Sequence, residues 1–194
     1  IHEYGPENIS DDQIRDGIRT LNEDFRKRNA DTIKTNPVFK PIAADCEIEF
    51  RLAGLDPSGK PTNGIDRIES RLTTSGTDSA KLNPWPRDKY MNIWVVQYVR
   101  NGFAAFATYP GGPAEKDGIL SLYTYIGAIG MSNLLQSHTL SHEVAHFLNI
   151  QHVWGNTNSP EVACGDDLVA DTPLSKGHNN KCPPDSVCTK GVLE

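Results

Sequence analysis

The first regular pattern of apolar residues along the chain predicts an amphipathic helix. Apolar side chains recur at helical spacing with charged residues between them. They are Ile14, Ile18, Leu21 and Phe25. The preceding Ser10-Asp11-Asp12-Gln13 has the form of a capping box, in which the serine hydroxyl accepts a hydrogen bond from the backbone N–H three residues later. We therefore expect a long helix that begins after Ser10 and ends near Ala30.

Further along the chain, apolar runs predict strands. Polar and apolar residues alternate over residues 46–52, as in a half-exposed strand, and less regularly over residues 65–72. Residues 91–99 are almost all apolar, so we expect a strand buried on both faces at the centre of a sheet. Residues 120–126 predict another strand, which we expect to be the edge that an extended peptide would join.

The remaining pattern predicts a second helix and an irregular end. Helical periodicity runs over residues 132–148, and beyond residue 155 the apolar patches are short. Residues 165–173 are dense in oxygen-bearing side chains. We therefore predict an α+β fold, with a sheet-and-helix subdomain over residues 1–152 and a small irregular subdomain over residues 153–194.

Composition and charge narrow the functional classes. The 194 residues are enough for one well-buried domain. With 19 Lys and Arg against 25 Asp and Glu, the net charge is −6, and no basic block is present, so nucleic acid is a poor partner. No apolar run approaches membrane-spanning length and the first residues do not form a leader. We expect no membrane partner, and we expect any signal or pro-segment to have been removed.

The segment His142-Glu143-Val144-Ala145-His146-Phe147-Leu148-Asn149-Ile150-Gln151-His152 carries the candidate chemistry. On a helix, His142 and His146 leave the same face one turn apart, so both can bind one zinc ion. Glu143 is rotated off that axis, where it can act as general base towards a zinc-activated water. His152 can reach the same ion only if the chain turns back, and Asn149 can adopt the positive φ of such a turn.

Three histidine ligands leave the fourth position of zinc open, which distinguishes a catalytic site from a structural one. His138, one turn before His142, is then expected to be a packing histidine or one that supports a ligand. His2 and His178 have no partner at a suitable spacing, and we expect both at the surface.

The cysteines indicate an oxidising compartment. Cys164, Cys182 and Cys188 lie in the irregular last part of the chain, which is typical of disulfide-stabilised segments. Cys46 lies in a strand-like run, and we expect it to be a small buried apolar residue.

With this motif followed by Val153-Trp154-Gly155, the chain resembles the metzincin zinc metallopeptidases, and more narrowly the bacterial pappalysin family. Residues 46–53, 91–96 and 164–173 also carry the resemblance. It implies a secreted, extracellular zinc endopeptidase that acts on protein or peptide substrates and is latent until its pro-segment is removed. A basic residue directly after the scissile bond is often preferred. The implied fold is a zincin core with a twisted mixed sheet, a backing helix and an active-site helix.

Residue by residue, the resemblance implies that His142, His146 and His152 bind zinc and that Glu143 is the general base. It also implies a Cys164–Cys188 disulfide, which would leave Cys182 to pair beyond residue 194 and Cys46 free.

The resemblance further implies structural calcium in the last subdomain, near Asp167, Val169 and Thr172. A carboxylate, a backbone carbonyl and a hydroxyl suit a hard cation. Asp166 or Asp171 is the alternative carboxylate ligand, and an Asp-rich surface turn without an ion is the alternative interpretation.

The chain departs from the family pattern at two points. Asn149 stands where glycine is usual. Metzincins also have a methionine-containing turn beneath the zinc, whereas the only methionines here are Met91 and Met131, so we expect the chain to end before that turn. The alternative function is therefore a catalytically inactive binding module with a zincin fold, or an inactive truncated fragment. The presence of Glu143 favours the enzyme.

Overall fold

A computed structural model describes residues 1–155, 164–177 and 187–192 of the chain. The chain divides into two compact units, Ile1–Leu148 and Asn149–Glu194. The division lies a few residues before the boundary predicted after residue 152. No helix in the described ranges is long and apolar enough to span a membrane. His178 and Cys182 lie outside the described residues.

The predicted amphipathic helix is α1, Asp11–Phe25. Ser10 caps it, because its hydroxyl accepts the Gln13 N–H at 3.1 Å. The Gln13 side chain, only 1% exposed, is engaged elsewhere. Its amide donates to the carbonyls of Tyr123 at 2.9 Å and Ile126 at 3.1 Å and accepts from the Met131 N–H at 3.0 Å. A buried amide therefore fixes α1 to the segment that leads to the second helix.

Helix α1 ends five residues before the predicted end near Ala30. Lys27 has a φ of 50°, in the left-handed region. The Arg28 N–H donates back to the Glu23 carbonyl at 2.7 Å. This is the Schellman pattern of a helix end. The charged residues that continue past Phe25 gave no sign of this turn, because only the backbone conformation at Lys27 defines it.

Three short strands form a mixed sheet. They are β1 (Ile93–Val96), β2 (Ala105–Ala107) and β3 (Ile119–Leu122). The order is β1-β3-β2, with β1 parallel and β2 antiparallel to β3. Strand β3 is therefore central, and Ile119 and Leu120 are completely buried in it.

The predicted order of the strands was wrong. Residues 91–99 were expected at the centre of the sheet, but β1 is an edge of the described sheet and its exposure alternates. Its apolar run arises because Ile93 and Val95 pack against one core cluster while Trp94 and Val96 belong to another. The segment expected at the edge, residues 120–126, instead contains most of the central strand and continues into a 3₁₀ turn at Tyr123–Tyr125.

Residues 46–52, all of which are described, do not pair as a strand. Glu47 has a φ of 56°, which interrupts an extended conformation. The Asn22 side chain on α1 accepts the Phe50 N–H at 2.7 Å and donates to the Phe50 carbonyl at 2.8 Å. A helix side chain thus makes the backbone bonds that a neighbouring strand would make. The weaker alternation of residues 65–72 ends in a 3₁₀ helix, Arg71–Thr74, and not in a strand.

Helix α2, Thr139–Phe147, is shorter than the predicted residues 132–148. The preceding residues form turns, and the Asn133 side chain accepts the Leu135 N–H at 3.0 Å. Such local bonds of asparagine compete with a helix. Leu140 and Val144 place α2 in the same buried cluster as Leu21 of α1 and Ile119 of β3.

His2 was expected at the surface, but it is only 7% exposed. Its backbone forms an isolated parallel β-bridge with Glu69.

We predict that Gln13→Ala destabilises the Ile1–Leu148 unit. Alanine favours the helix, but the change leaves two carbonyls and one N–H buried without partners, at about 1–3 kcal/mol each. We expect the free energy of unfolding to fall by about 2–4 kcal/mol, measured by chemical denaturation. Gln97→Ala, at an exposed position, is the control and should change it by less than about 0.5 kcal/mol. Equal effects of the two substitutions would contradict a buried role for Gln13.

Candidate metal centre

Helix α2 brings two histidines to one point. The His142 and His146 rings are 4.5 Å apart between centroids, and their Nε2 atoms are 3.0 Å apart. Two zinc–nitrogen bonds of about 2.0–2.1 Å at a tetrahedral angle place their nitrogens roughly 3.3 Å apart. The pair therefore has nearly the separation of two ligands of a single ion.

His152 joins this pair after a reversal of the chain. The Leu148 N–H closes the last turn of α2 at 2.9 Å. Asn149 follows with a φ of 73°, the left-handed conformation predicted for it. One ligand atom from each of His142, His146 and His152 lies within 4.8 Å of the other two. The three residues expected to bind zinc are thus brought together.

The surroundings of the pair favour the neutral form of His142. Desolvation lowers the pKa of His142, and the charge of nearby His146 lowers it further. A neutral imidazole has the free lone pair that a metal ligand needs. Three imidazole nitrogens suit zinc better than calcium or magnesium, which prefer oxygen ligands.

Glu143 is buried beside the histidines. Its side chain is 7% exposed, and desolvation raises the pKa of Glu143 to about 7. The Ala107 N–H of β2 donates to this carboxyl and partly opposes the shift. A cation at the histidines would favour the ionised form as well. Glu143 is therefore a carboxyl that can both accept and release a proton near neutral pH.

Tyr109 contacts His146 and was not predicted from the sequence. Its hydroxyl lies 3.0 Å from His146 Nδ1, and desolvation raises the pKa of Tyr109, with a further contribution from Glu143. No pattern in the sequence marks it, because it precedes His146 by 37 residues and lies in a loop rich in glycine and proline.

His138 connects the two helices and is not in the ligand cluster. Its Nδ1 lies 2.8 Å from a carboxylate oxygen of Asp24 on α1. The Ser141 hydroxyl donates to the same oxygen. Asp24 therefore holds the first turn of α2, directly before His142. That His138 is a packing histidine or one that supports a ligand stays a prediction.

In the unit Asn149–Glu194, the residues expected near calcium lie together. The Asp167 carboxylate accepts the Thr172 hydroxyl at 2.7 Å and the Val169 N–H at 3.1 Å. The same hydroxyl lies 3.2 Å from the Val169 carbonyl. Asp167 is 8% exposed. The alternative ligand Asp166 accepts the Leu168 N–H at 2.7 Å and so closes its own turn.

The structure contains the Cys164–Cys188 disulfide that the resemblance implied, with 5.8 Å between the Cα atoms. Cys46 is free, as expected, but it is exposed and not buried. The expectation of burial was wrong because residues 46–52 are not a strand. The Asp45 carboxylate accepts the Glu47 N–H at 2.8 Å, which turns the chain at Cys46.

Several proteins of similar sequence are fungal extracellular metalloproteases. The chain is 27% identical over 194 residues to one from Arthroderma gypseum and 28% identical over 191 residues to one from Arthroderma benhamiae. Each match covers 95% of this chain and 56% of the relative. The chain therefore spans little more than half the length of these relatives.

Solved structures with this fold include mature mirolysin of Tannerella forsythia in complex with a cleaved peptide. The TM-score is 0.81 at 34% identity, over 92% of this chain and 70% of mirolysin. A mutant of promirolysin from the same organism gives a TM-score of 0.82 at 33% identity, over 92% of this chain and 61% of the other. These similarities confirm the predicted α+β metzincin core.

The family model of the M43 peptidases, described as pregnancy-associated plasma protein-A, matches residues 75–193. The match covers more than half of the chain and includes α2, the three histidines and both cysteines of the disulfide. The predicted resemblance to the pappalysins is thereby confirmed, and the chain belongs to the M43 peptidase family.

Proposed function

We propose that the protein is a secreted, zinc-dependent endopeptidase. The observation that carries the proposal is the convergence of three imidazoles beside a buried carboxyl, Glu143, in a chain of a peptidase family. The names of the fungal relatives support secretion. Mirolysin with a cleaved peptide supports a peptide substrate, and promirolysin supports a pro-segment that is removed on maturation.

His142, His146 and His152 would hold the zinc ion, since each offers a ring nitrogen to the same point. When bound, zinc would supply a Lewis acid for the scissile carbonyl and make a water molecule acidic near neutral pH.

Glu143 would move the protons of the reaction. Burial disfavours the ionised carboxylate and so raises the pKa of Glu143. The residue could therefore accept a proton from the attacking water. It can then release that proton to the departing amine. The hydrogen bond from the Ala107 N–H would help to orient the carboxyl for these transfers.

The substrate would extend along β2, and not along residues 120–126 as expected from the sequence. Residues 120–122 of that segment lie in the central strand and residues 123–125 form a 3₁₀ turn, whereas β2 has no second strand partner in the described residues. Phe106 exchanges its backbone bonds with Leu120, so the backbone groups of Ala105 and Ala107 face away from β3. The Ala107 N–H already meets Glu143, which places this edge next to the proposed base.

The proposed preference is for a basic residue directly after the scissile bond. The resemblance to the pappalysins supports it, and the net charge of −6 is compatible with cationic substrates. We also propose a structural calcium ion held by Asp167, Val169 and Thr172, because the Thr172 hydroxyl already lies within hydrogen-bonding distance of both the Asp167 carboxylate and the Val169 carbonyl.

We predict that Glu143→Gln removes most proteolysis while zinc stays bound. Glutamine keeps an oxygen for the Ala107 N–H but cannot take a proton, so we expect turnover of casein or of a peptide with arginine after the cleaved bond to fall by about 100-fold or more. The exposed Glu115→Gln is the control. Zinc content, measured by elemental analysis, should be unchanged in both. A parallel loss of zinc and activity in Glu143→Gln would assign this residue to metal binding.

We predict that His152→Ala loses zinc and that His138→Ala does not. Removal of a ligand should weaken zinc binding by more than the roughly 100-fold that an outer hydrogen-bond partner contributes. His138 is a matched control, since it lies on the other side of His142 and bonds Asp24. Zinc affinity is measured by competition with a chromophoric chelator. A greater loss in His138→Ala would reverse the assignment of the third ligand.

We predict that calcium raises the melting temperature and protects residues 155–194 from an added protease. A ligand at 100 times its Kd stabilises by about 2.7 kcal/mol. Asp167→Asn should abolish the effect, whereas Asp166→Asn and Asp171→Asn should keep it. The measurements use the Glu143→Gln variant, so that self-cleavage does not interfere. If melting curves with and without calcium coincide, the region holds no calcium, and if Asp166→Asn alone abolishes the effect, Asp166 is the ligand.

A further inference from the structure

The loop between β2 and β3, residues 108–118, connects the sheet to the metal centre. Tyr109 is its second residue. The tyrosine hydroxyl lies 3.0 Å from His146 Nδ1, and the two rings are 5.4 Å apart between centroids. The other ring nitrogen of His146, Nε2, is the atom that lies 3.0 Å from His142 Nε2. Tyr109 therefore contacts the side of His146 that faces away from the proposed metal position.

This contact can select one tautomer of His146. A neutral imidazole carries its proton on one nitrogen and its lone pair on the other. If Nδ1–H donates to the tyrosine oxygen, the lone pair is on Nε2, where the metal is proposed to bind. Partners of this kind fix the tautomer and the ring orientation of metal-binding histidines and raise their basicity.

Lys81 fixes the loop that carries Tyr109. Its side chain is completely buried, and its ammonium donates to the Thr108 hydroxyl at 2.8 Å and the Lys116 carbonyl at 2.7 Å. A longer bond of 3.4 Å reaches the Gly118 carbonyl. Three of its polar contacts thus lie on residues 108–118, at both ends of the loop. The fourth is Asp78, with a carboxylate oxygen at 3.1 Å.

Burial of a charged ammonium is costly unless the group is well hydrogen-bonded. The hydrogen-bond partners of the Lys81 ammonium lie at the beginning and at the end of the loop. The Lys81 ammonium is also 5.0 Å from the centroid of the Phe106 ring on β2. The Thr108 hydroxyl donates to the Lys116 carbonyl at 2.7 Å. These contacts join the two ends of the loop and restrict the position of Tyr109.

We propose that Tyr109 is a positioning residue of the zinc centre, which holds His146 with Nε2 towards the metal, and that Lys81 acts through it by anchoring the loop. This inference rests on the proposed zinc function. It adds two residues outside the motif of residues 142–152 to the machinery that determines metal affinity.

The first test compares Tyr109→Phe with Tyr98→Phe in the full chain after removal of metal. Tyr98 is an exposed tyrosine whose hydroxyl has no hydrogen bond among the contacts of the described part of the chain. We expect Tyr109→Phe to raise the Kd for zinc by about 10–100-fold and to change the visible absorption spectrum of the cobalt(II)-loaded protein. Tyr98→Phe should change neither.

The outcomes separate this inference from the proposed function. If the unchanged protein binds neither zinc nor cobalt(II), the proposed function fails, and this inference fails with it. If it binds zinc, and Tyr109→Phe has the same Kd and the same cobalt(II) spectrum, the inference alone is overturned and the zinc function stands.

The second test asks whether Lys81 acts through Tyr109. Lys81→Met keeps an unbranched chain in the buried position and removes the ammonium. We expect it to raise the Kd for zinc, and we expect the double variant with Tyr109→Phe to bind no more weakly than Tyr109→Phe alone. Independent, additive effects would overturn the role of Lys81. Should Lys81→Met not fold, Thr108→Val replaces it in the same cycle, because it removes the bond from Lys81 and the bond that joins the two ends of the loop.

Discussion

The reversal of the chain after Leu148 is the constraint on which the metal centre depends. A helix can present His142 and His146 to one ion, but it would carry a residue ten positions after His142 far along its axis. The centre therefore requires a helix that ends within two residues of His146 and a residue that tolerates the left-handed conformation. Asn149 meets this requirement with a φ of 73°, although glycine would adopt it at lower cost. The position at which α2 ends, and not only the spacing of the histidines, thus determines whether His152 can reach the other two.

Helix α2 carries both the proposed base, Glu143, and two of the proposed ligands, because its buried and exposed faces are distinct. Glu143 and Val144 point into the protein while the histidines converge at its border. The burial that stabilises α2 also desolvates Glu143, and this raises the pKa of that residue. A carboxyl with this environment would destabilise an ordinary core. Here the N–H of Ala107 compensates part of that cost, and the outward-facing backbone of β2 places this donor beside the helix.

Local features of the fold could be predicted from the sequence, whereas pairings between distant segments could not. The Ser10 cap, the positive φ of Asn149 and the turn of α2 with its two histidines each depend on neighbouring residues. The predicted strand order was wrong because an apolar run indicates that both faces of a strand are buried, but not where the strand lies in the sheet, as β1 shows. Residues 46–52 alternate like a strand, yet Asn22 takes their backbone bonds. Tyr109 and Lys81 carry no sequence signal, because their roles arise only when the loop folds back.

The three proposed ligands are close together in the sequence, whereas the segments that stabilise α2 are distant from it in the sequence. This difference affects how the site forms. All three proposed ligands lie within eleven consecutive residues, but the nine-residue α2 is shorter than the length at which isolated helices become stable in water. Its stability must come from packing, through Leu140 and Val144 in the core shared with α1 and β3. A histidine pair on an unfolded segment would rarely have its Nε2 atoms 3.0 Å apart. Metal affinity is therefore coupled to the folding of the Ile1–Leu148 unit. Asp24 and His138 join α2 to α1 and so contribute to this packing, although neither lies in the cluster of ligand atoms.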